Sequence, residues 1–342
     1  MITSIRIRGL RGIRDGQIDG LAPLTMIVGA NGCGKSTVLE ALGVACAGPS
    51  PNAVFEALAS REWLGLAGMK YWFDDNGAVV DATFDSDGPA EPLTLGVRLR
   101  RSQTDPRILT VQRVQPGGTS SAPLDGYIDE DGAWLAITPA VPGQFPFALQ
   151  GNFVDRPAGA TARFQGGRFS SALRTALSAI KLSSWYDDWF KYLQELRPNV
   201  TSIESIAVGD RDEPHLFEGK PRIGYPLAYA GDGFRRALLL AGAFARAKGG
   251  VAAIDEPEVF AHPGMFGAIA SLMRLVVHDG TQVVFATHSL ELIATVLQVF
   301  ENEPEKVAVI GLRMDAGVLD PVVIEGPDAK RRVLEFGHDV RL

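Results

Sequence analysis

The sequence predicts an α/β fold in which a mixed or parallel sheet is flanked by helices and carries a β-rich, then helical, insertion. Three observations carry that prediction. The stretch Gly29-Ala30-Asn31-Gly32-Cys33-Gly34-Lys35-Ser36-Thr37 has the spacing G-x-x-x-x-G-K-[ST] and lies between an apolar run, Leu24 to Val28, and a helical pattern, Val38 to Ala45. A strand–loop–helix setting of this kind lets backbone N–H groups curl around phosphate oxygens at the positive end of a helix. From Gly233 onward, helical patterns alternate with short apolar runs, as parallel strands covered on both faces do. Between these two parts, short β-like runs are separated by Gly, Pro, Asp and Ser clusters, the pattern of antiparallel hairpins.

Composition bounds the remaining possibilities. A chain of 342 residues is long enough for one large domain or two ordinary ones. With 46% hydrophobic and 21% charged residues it reads as a soluble globular protein with a full core. The net charge of −7 provides no global basic field for nucleic acid, though a local DNA-binding face stays open. Cys33 and Cys46 give neither a disulfide framework nor a metal cluster and suit a reducing cytoplasm. The N-terminus alternates apolar and charged residues, as a strand does and a signal peptide does not. No uncharged apolar run approaches the roughly 18 residues of a membrane span. A soluble cytoplasmic protein is expected.

In chain order, residues 1–28 predict two strands joined by a Gly-rich turn, with Ile5 and Ile7 on one side and Arg6 and Arg8 on the other. The helix after the phosphate loop should bury a face made by Val38, Leu39, Leu42 and Ala45, and Ala47-Gly48-Pro49-Ser50-Pro51 ends it. Strands are expected at Val79–Phe84, Leu93–Arg101 and Ile108–Val114. The basic run Val97 to Arg101, with Arg107 and Arg113, is either a solvated strand face or a phosphate-backbone contact. Ser170 to Leu196 is helical, and its aromatics Trp185, Tyr186, Trp189 and Tyr192 recur at core spacing, which favours packing over base stacking. Helices then follow at 234–248, 263–278 and 290–300, with strands at 251–254 and 282–286. Lys306 to Leu342 supplies a strand or two and a charged tail. The expected core is 1–50 plus 229–342, and the insertion is 51–228.

The candidate chemistry lies at strand ends. Lys35 would reach the β- and γ-phosphates, and Ser36 would place its hydroxyl on Mg²⁺. Val251 to Ile254 is a buried strand delivering Asp255 and Glu256 at its C-terminal edge, where open α/β sheets bind ligands. There Asp255 would hold Mg²⁺ through water, and Glu256 would polarise an attacking water. His288 follows the apolar run Val283 to Ala286, where its side chain could reach a γ-phosphate or that water. Tyr229-Ala230-Gly231-Asp232-Gly233-Phe234-Arg235-Arg236 opens the helix before Asp255 in the form of a second anion site. One nucleotide cannot easily use both glycine loops of one subunit, which points to a partner.

The order of these motifs resembles the ABC-type ATPases. Gly231 to Arg236, Ile254-Asp255-Glu256-Pro257-Glu258 with Ala261-His262-Pro263, and Ala286-Thr287-His288-Ser289 resemble the OLD-like branch. That branch is similar to SMC and RecF proteins without long coiled-coil arms. The resemblance implies an ABC-like P-loop ATPase fold and a head-to-tail homodimer holding two ATP with Mg²⁺. In it Asn31, Gly32, Cys33, Gly34, Lys35, Ser36 and Thr37 of one subunit would face Gly231, Asp232 and Gly233 of the other. It also implies a switch acting on a separate effector or a DNA-associated complex, in the setting of anti-phage defence.

Three departures from the family pattern stand out. Ala230 replaces a phosphate-binding serine, and a Q-loop glutamine has only Gln103, Gln112 and Gln165 as candidates. With 54 residues after His288 (342 less 288), no Toprim nuclease domain is expected. A transporter ATPase subunit is a competing class, opposed by the missing Leu-Ser-Gly-Gly-Gln signature and by His262-Pro263. A RecF-like DNA-repair ATPase is another, opposed by the acidic pI of about 5.4.

Overall fold

Apolar runs bounded by glycine or proline become the strands of one large sheet. The computed structural model describes residues 1–47, 76–85, 93–102, 108–114, 123–128, 134–136, 147–150, 176–208, 211–259 and 261–341, with single residues at 54, 58, 73 and 174. Its first strands are β1 (Ile2–Leu10), β2 (Ile13–Asp19) and β3 (Leu24–Gly29). Next come β4 (Ala78–Phe84), β5 (Leu93–Arg101), β6 (Ile108–Val114), β7 (Leu124–Ile128), β8 (Trp134–Ala136) and β9 (Phe147–Gln150). β10 (Val200–Val208), β11 (Arg211–Glu218) and β12 (Ile223–Pro226) follow, then β13 (Val251–Asp255), β14 (Gln282–Ala286), β15 (Val307–Asp315) and β16 (Val318–Glu325). The helices are α1 (Lys35–Ala47), α2 (Tyr186–Leu196), α3 (Asp232–Arg246), α4 (Phe266–His278), α5 (Leu290–Val299) and α6 (Gly326–Lys330).

Among the described residues the main sheet has 13 strands in the order β8-β7-β6-β5-β4-β1-β2-β16-β15-β3-β14-β13-β9. Strands β15, β3, β14, β13 and β9 run parallel. From β8 to β2 each neighbouring pair is antiparallel. The parallel strands are buried along most of their length, and their side chains sort by alternation. Leu24, Met26, Val28, Val283, Phe285, Ala252 and Ile254 enter one core with α2 to α5. Ile27, Val284, Ala286, Val251 and Ala253 enter a second core with α1. Burial on both faces explains the continuous apolar runs that made β13 and β14 readable.

Helix α1 departs from the expected one-sided pattern. It is buried nearly all round, because it packs against β13, β14 and β9 and also against β1, β4 and β5. The sheet therefore wraps around it. Even Glu40 is fully buried, with a carboxylate oxygen 2.6 Å from Nε of Arg11 in the β1–β2 turn. Removing one partner of such a pair would strand a buried charge, at a cost of about 3–5 kcal/mol.

Three further differences have local causes. Residues 1–28 hold three strands rather than two, because Gly20 (φ +75°) and the Leu21-Ala22-Pro23 turn separate β2 from β3. The strands β10, β11 and β12 form a separate antiparallel sheet that sequence reading passed over. In β10 the buried residues Val200 and Ile203 lie three apart, so strand alternation is masked. The helix expected from Pro263 begins with a 3₁₀ turn at Pro263–Met265, where Nδ1 of His262 accepts from the Gly264 N–H at 3.1 Å. Trp185 and Trp189 are buried in the core, as their spacing suggested, and Tyr186 stacks on Phe190 with ring centroids 6.0 Å apart. Leu173, Arg107, Gln103 and Gln165 lie outside the described residues, whereas Gln112 sits in β6 within the antiparallel half of the sheet.

Candidate functional site

Strands β3, β14 and β13 are parallel neighbours, so their C-terminal ends share one edge. Their register pairs Ile27 with Ala286 and Ala286 with Asp255. The phosphate loop leaves β3, the His288 segment leaves β14, and Asp255-Glu256 close β13. At a strand spacing of about 4.8 Å, the three segments lie side by side within about 10 Å.

The phosphate loop has the backbone its glycines require. Gly29 has φ +143°, and a Cβ there would lie 2.4 Å from the Leu312 carbonyl oxygen. Gly32 has φ +77°. Helix α1 starts at Lys35, and the first helical bond runs from the Val38 N–H to the Gly34 carbonyl at 3.0 Å. The N–H groups of Lys35, Ser36 and Thr37 therefore belong to the helix end that has no intrahelical acceptor. Asn31 and Gly32 are exposed at the tip, Gly34, Ser36 and Thr37 are half-buried, and Cys33 is buried. Lys35 is buried at 6% exposure, and Nζ donates to the carbonyls of Gly29 and Ala30, each at 3.0 Å. Those bonds use two of its three protons.

Glu256 stands in a strained turn. Its φ is +51°, one of three non-glycine residues in the left-handed region among those described, which costs roughly 1–3 kcal/mol. The Glu256 N–H donates to the Ala286 carbonyl at 2.9 Å, tying the turn to β14. That geometry puts Oε1 of Glu256 3.8 Å from Nε2 of His288. Asp255 is half-buried at the end of β13. Two protein oxygens, the Ser36 hydroxyl and the Asp255 carboxylate, suit Mg²⁺, which usually takes one or two protein ligands plus substrate phosphates. Among the described residues no group of three or more His, Cys, Asp or Glu is placed to hold a metal.

Two residues at this edge had no assigned role from sequence. Oε1 of Glu258 accepts from the Thr287 hydroxyl at 2.6 Å and from the His288 N–H at 3.1 Å. Thr287 is fully buried, and its hydroxyl oxygen also accepts from the Ser289 N–H at 2.9 Å. Ser289 then caps α5 by accepting from the Leu292 N–H at 3.0 Å. The carboxylate segment and the histidine segment are thus stitched together. On the other side of His288, Nη1 of Arg341 donates to its carbonyl at 2.8 Å. Glu258 lies in the motif after Asp255 but had no role there, and Arg341, 53 residues from His288, has no local sequence signal.

The second glycine loop stands apart from this group. Gly231 caps α3 with φ −56° and ψ 150°, values open to any residue. A Cβ there would meet nothing within 4 Å. Gly233 is half-buried in the first turn of α3, and Asp232 opens that helix, its side chain lying outside the described residues. Tyr229 beside the loop is 80% exposed, while Ala230 is buried. Helix α3 packs on β9, the edge strand three places from β3. Three strand spacings amount to about 14 Å.

Comparison with known proteins bears on the fold. Residues 4–91 match a family model described as "AAA domain". Residues 165–294 match one described as "AAA domain, putative AbiEii toxin, Type IV TA system". A DNA replication and repair protein RecF from Thioalkalivibrio sulfidiphilus (strain HL-EbGR7) is 30% identical over 108 residues, 32% of this chain and 27% of that protein. The match thus spans about a quarter of the length of that relative. The crystal structure of an Smc head bound to the C-winged helix domain of ScpA superposes with a TM-score of 0.55 at 16% identity, covering 96% of this chain and 99% of that one. The fold is that of the SMC head, a P-loop ATPase fold. An Smc head with an extended coiled coil, bound to the C-terminal domain of ScpA derived from Pyrococcus furiosus, gives 0.51 at 16% identity over 98% of this chain and 99% of that one. The chain thus has a P-loop ATPase fold, with AAA-domain matches and SMC- and RecF-like relatives. No helix among its described residues is long and apolar enough to cross a membrane.

Proposed function

We propose that this protein is a Mg²⁺-dependent ATPase that closes head to tail as a homodimer around two ATP. The observation that carries the reading is the shared edge, where Lys35 beside β3, His288 beside β14 and a strained Glu256 beside β13 come together. Lys35 would neutralise the β- and γ-phosphates, with the N–H groups at the start of α1 holding phosphate oxygens. Glu256 would take the proton of the attacking water, and His288 would donate to the γ-phosphate or fix that water. Ser36 and Asp255 would hold Mg²⁺, which would supply neutralisation of developing charge.

The placement of Gly231 supports the second subunit. Neither backbone geometry nor space requires a glycine there, so close backbone approach by a ligand remains as its use. Gly231, Asp232 and Gly233 would meet the γ-phosphate held by the partner's phosphate loop. Closure with ATP and opening on hydrolysis would then switch a separate effector protein. The OLD-like motif order makes anti-phage defence in the cytoplasm the setting we favour. On this reading the core is 1–50 with 229–342, and 51–228 is an inserted lid or arm.

Glu256→Gln tests the proposal. ATP binding should persist while turnover falls about 10²–10⁴-fold, and light scattering with ATP and Mg²⁺ should show the dimer accumulating. Undiminished turnover removes Glu256 as base. A monomer under those conditions removes the composite site. The RecF relative favours one alternative, a DNA-binding repair ATPase using the solvent face of β5, where Arg100 is exposed. Salt-dependent binding of plain duplex by the isolated protein would favour it.

A further inference from the structure

We infer that the C-terminal strap 336–341 is a positioning element for His288, with Arg341 as its working end. This rests on the hydrolysis reading above. After β16 the chain forms α6 at the far end of α5, where Nζ of Lys330 donates to the Glu301 carbonyl at 3.1 Å. A tight π-turn, Arg331–Glu335, packs on α5. The strap then leaves through Gly337 (φ +64°) and finishes at the opposite end of α5, on the carbonyl of His288. A ten-residue helix spans about 15 Å, so the segment runs the length of α5 from its C-terminus to the candidate site.

Two features hold the strap in place. Val340 is 2% exposed and belongs to the same core as Leu292, Ile293 and Val296 of α5. Asp339 grips the Arg341 guanidinium in a fork, accepting from Nε at 2.9 Å and from Nη2 at 2.6 Å, and it also accepts the Arg341 backbone N–H at 2.9 Å. Such a bidentate pair fixes the guanidinium plane. It leaves Nη1 to donate to His288 at 2.8 Å.

The peptide of His288 is therefore held from both sides, its N–H by Glu258 and its carbonyl by Arg341. Its imidazole stands 3.8 Å from Glu256, within reach of contact but set by backbone placement rather than by packing, since the side chain is 39% exposed. A shift of the His288 peptide changes that approach directly. Arg341 itself touches neither nucleotide nor water on this reading. It acts through His288.

The test is steady-state ATP hydrolysis by the full chain with Arg341→Ala and Arg341→Lys, each also in a His288→Ala background. Loss of one charged hydrogen bond at a half-exposed site should lower kcat about three- to tenfold in Arg341→Ala, with KM for ATP unchanged. Arg341→Lys should recover most of the rate, because an ammonium can still donate to the carbonyl. In the His288→Ala background Arg341→Ala should add no further loss. An unchanged kcat, an equal loss in KM without rescue by lysine, or additive losses would each overturn the proposal. If wild type hydrolyses no ATP, the ATPase reading fails on its own, and amide exchange at 287–290 still decides the strap. Faster exchange in Arg341→Ala supports it, and identical exchange overturns it.

Discussion

Replacing Glu258 by alanine removes the acceptor that joins the carboxylate turn to the histidine segment. The Thr287 hydroxyl, fully buried, and the half-buried His288 N–H lose their partner at once. A buried donor left without an acceptor costs about 1–3 kcal/mol, and the partly exposed His288 N–H lies at the low end, so the gross loss is about 2–4 kcal/mol. One gain offsets it. Oε2 of Glu258 is buried without a hydrogen-bond partner among the described residues, and deleting it relieves a desolvation cost of about 1 kcal/mol. The net expectation is a loss of about 1–3 kcal/mol, measured by denaturant unfolding as a shift in midpoint at constant slope. Glu258→Gln keeps one acceptor oxygen and should cost less than alanine. ATP turnover should fall in Glu258→Ala, because His288 loses the grip on its N–H, while nucleotide affinity holds. An alanine variant within about 0.5 kcal/mol of wild type, or a glutamine variant less stable than the alanine one, would refute the reasoning.

Two other perturbations probe separate parts of the molecule. Gly233→Asp adds an acid in the first turn of α3, where the helix dipole tolerates it, so the fold should be unaffected. ATP-driven dimerisation should nevertheless fail through repulsion of the partner's phosphate, and a normal dimer by sizing chromatography with ATP would sink the composite site. Glu303 tests electrostatics away from the site. Burial alone would push its pKa up, but hydrogen bonds from Lys306, Arg274 and His278 outweigh that and hold it at about 2 against an ordinary 4.5. Between those values the unfolded chain carries a proton that the folded chain does not, so the stabilisation is full above pH 4.5 and lost as pH falls to about 2. It amounts to at most about 3 kcal/mol, and solvent around the half-exposed Arg274 and His278 reduces it to about 1–2. The stability gap between wild type and Glu303→Gln should thus be present at neutral pH and close near pH 2, and a gap independent of pH would contradict the assignment.

What could be read from sequence follows the physics of burial. Strands β13 and β14 are covered on both faces, so each appears as an unbroken apolar run, and the glycines and helical patterns around them fix the boundaries. The phosphate loop is legible because its chemistry is backbone chemistry, which demands glycine at positions such as Gly29 whatever the rest of the chain does. Elements whose environment depends on distant chain are another matter. The all-round burial of α1 follows from a sheet that curls past it, and no periodicity within 35–47 announces that Glu40 will sit beside Arg11. In β10, Val200 and Ile203 fall at a spacing shared with helices, which hid a three-stranded sheet. Glu258 and Arg341 are ordinary charged residues until the fold brings each to one atom of the His288 peptide.

On the proposed function, the same burial pattern says where a nucleotide-dependent movement would occur. Helix α1 is wedged between the antiparallel strands β1, β4 and β5 and the parallel strands β13 and β14, so the phosphate loop cannot swing as a body without opening a core. Motion is drawn instead from segments with few buried contacts. At the site edge those are the exposed Gly231 loop with Tyr229 and the half-exposed His288 side chain. A rigid phosphate loop facing an adjustable histidine and an open glycine loop is an arrangement in which binding and turnover depend on different residues. That separation is why variants at Arg341 and Glu258 should change kcat and leave the affinity for ATP in place.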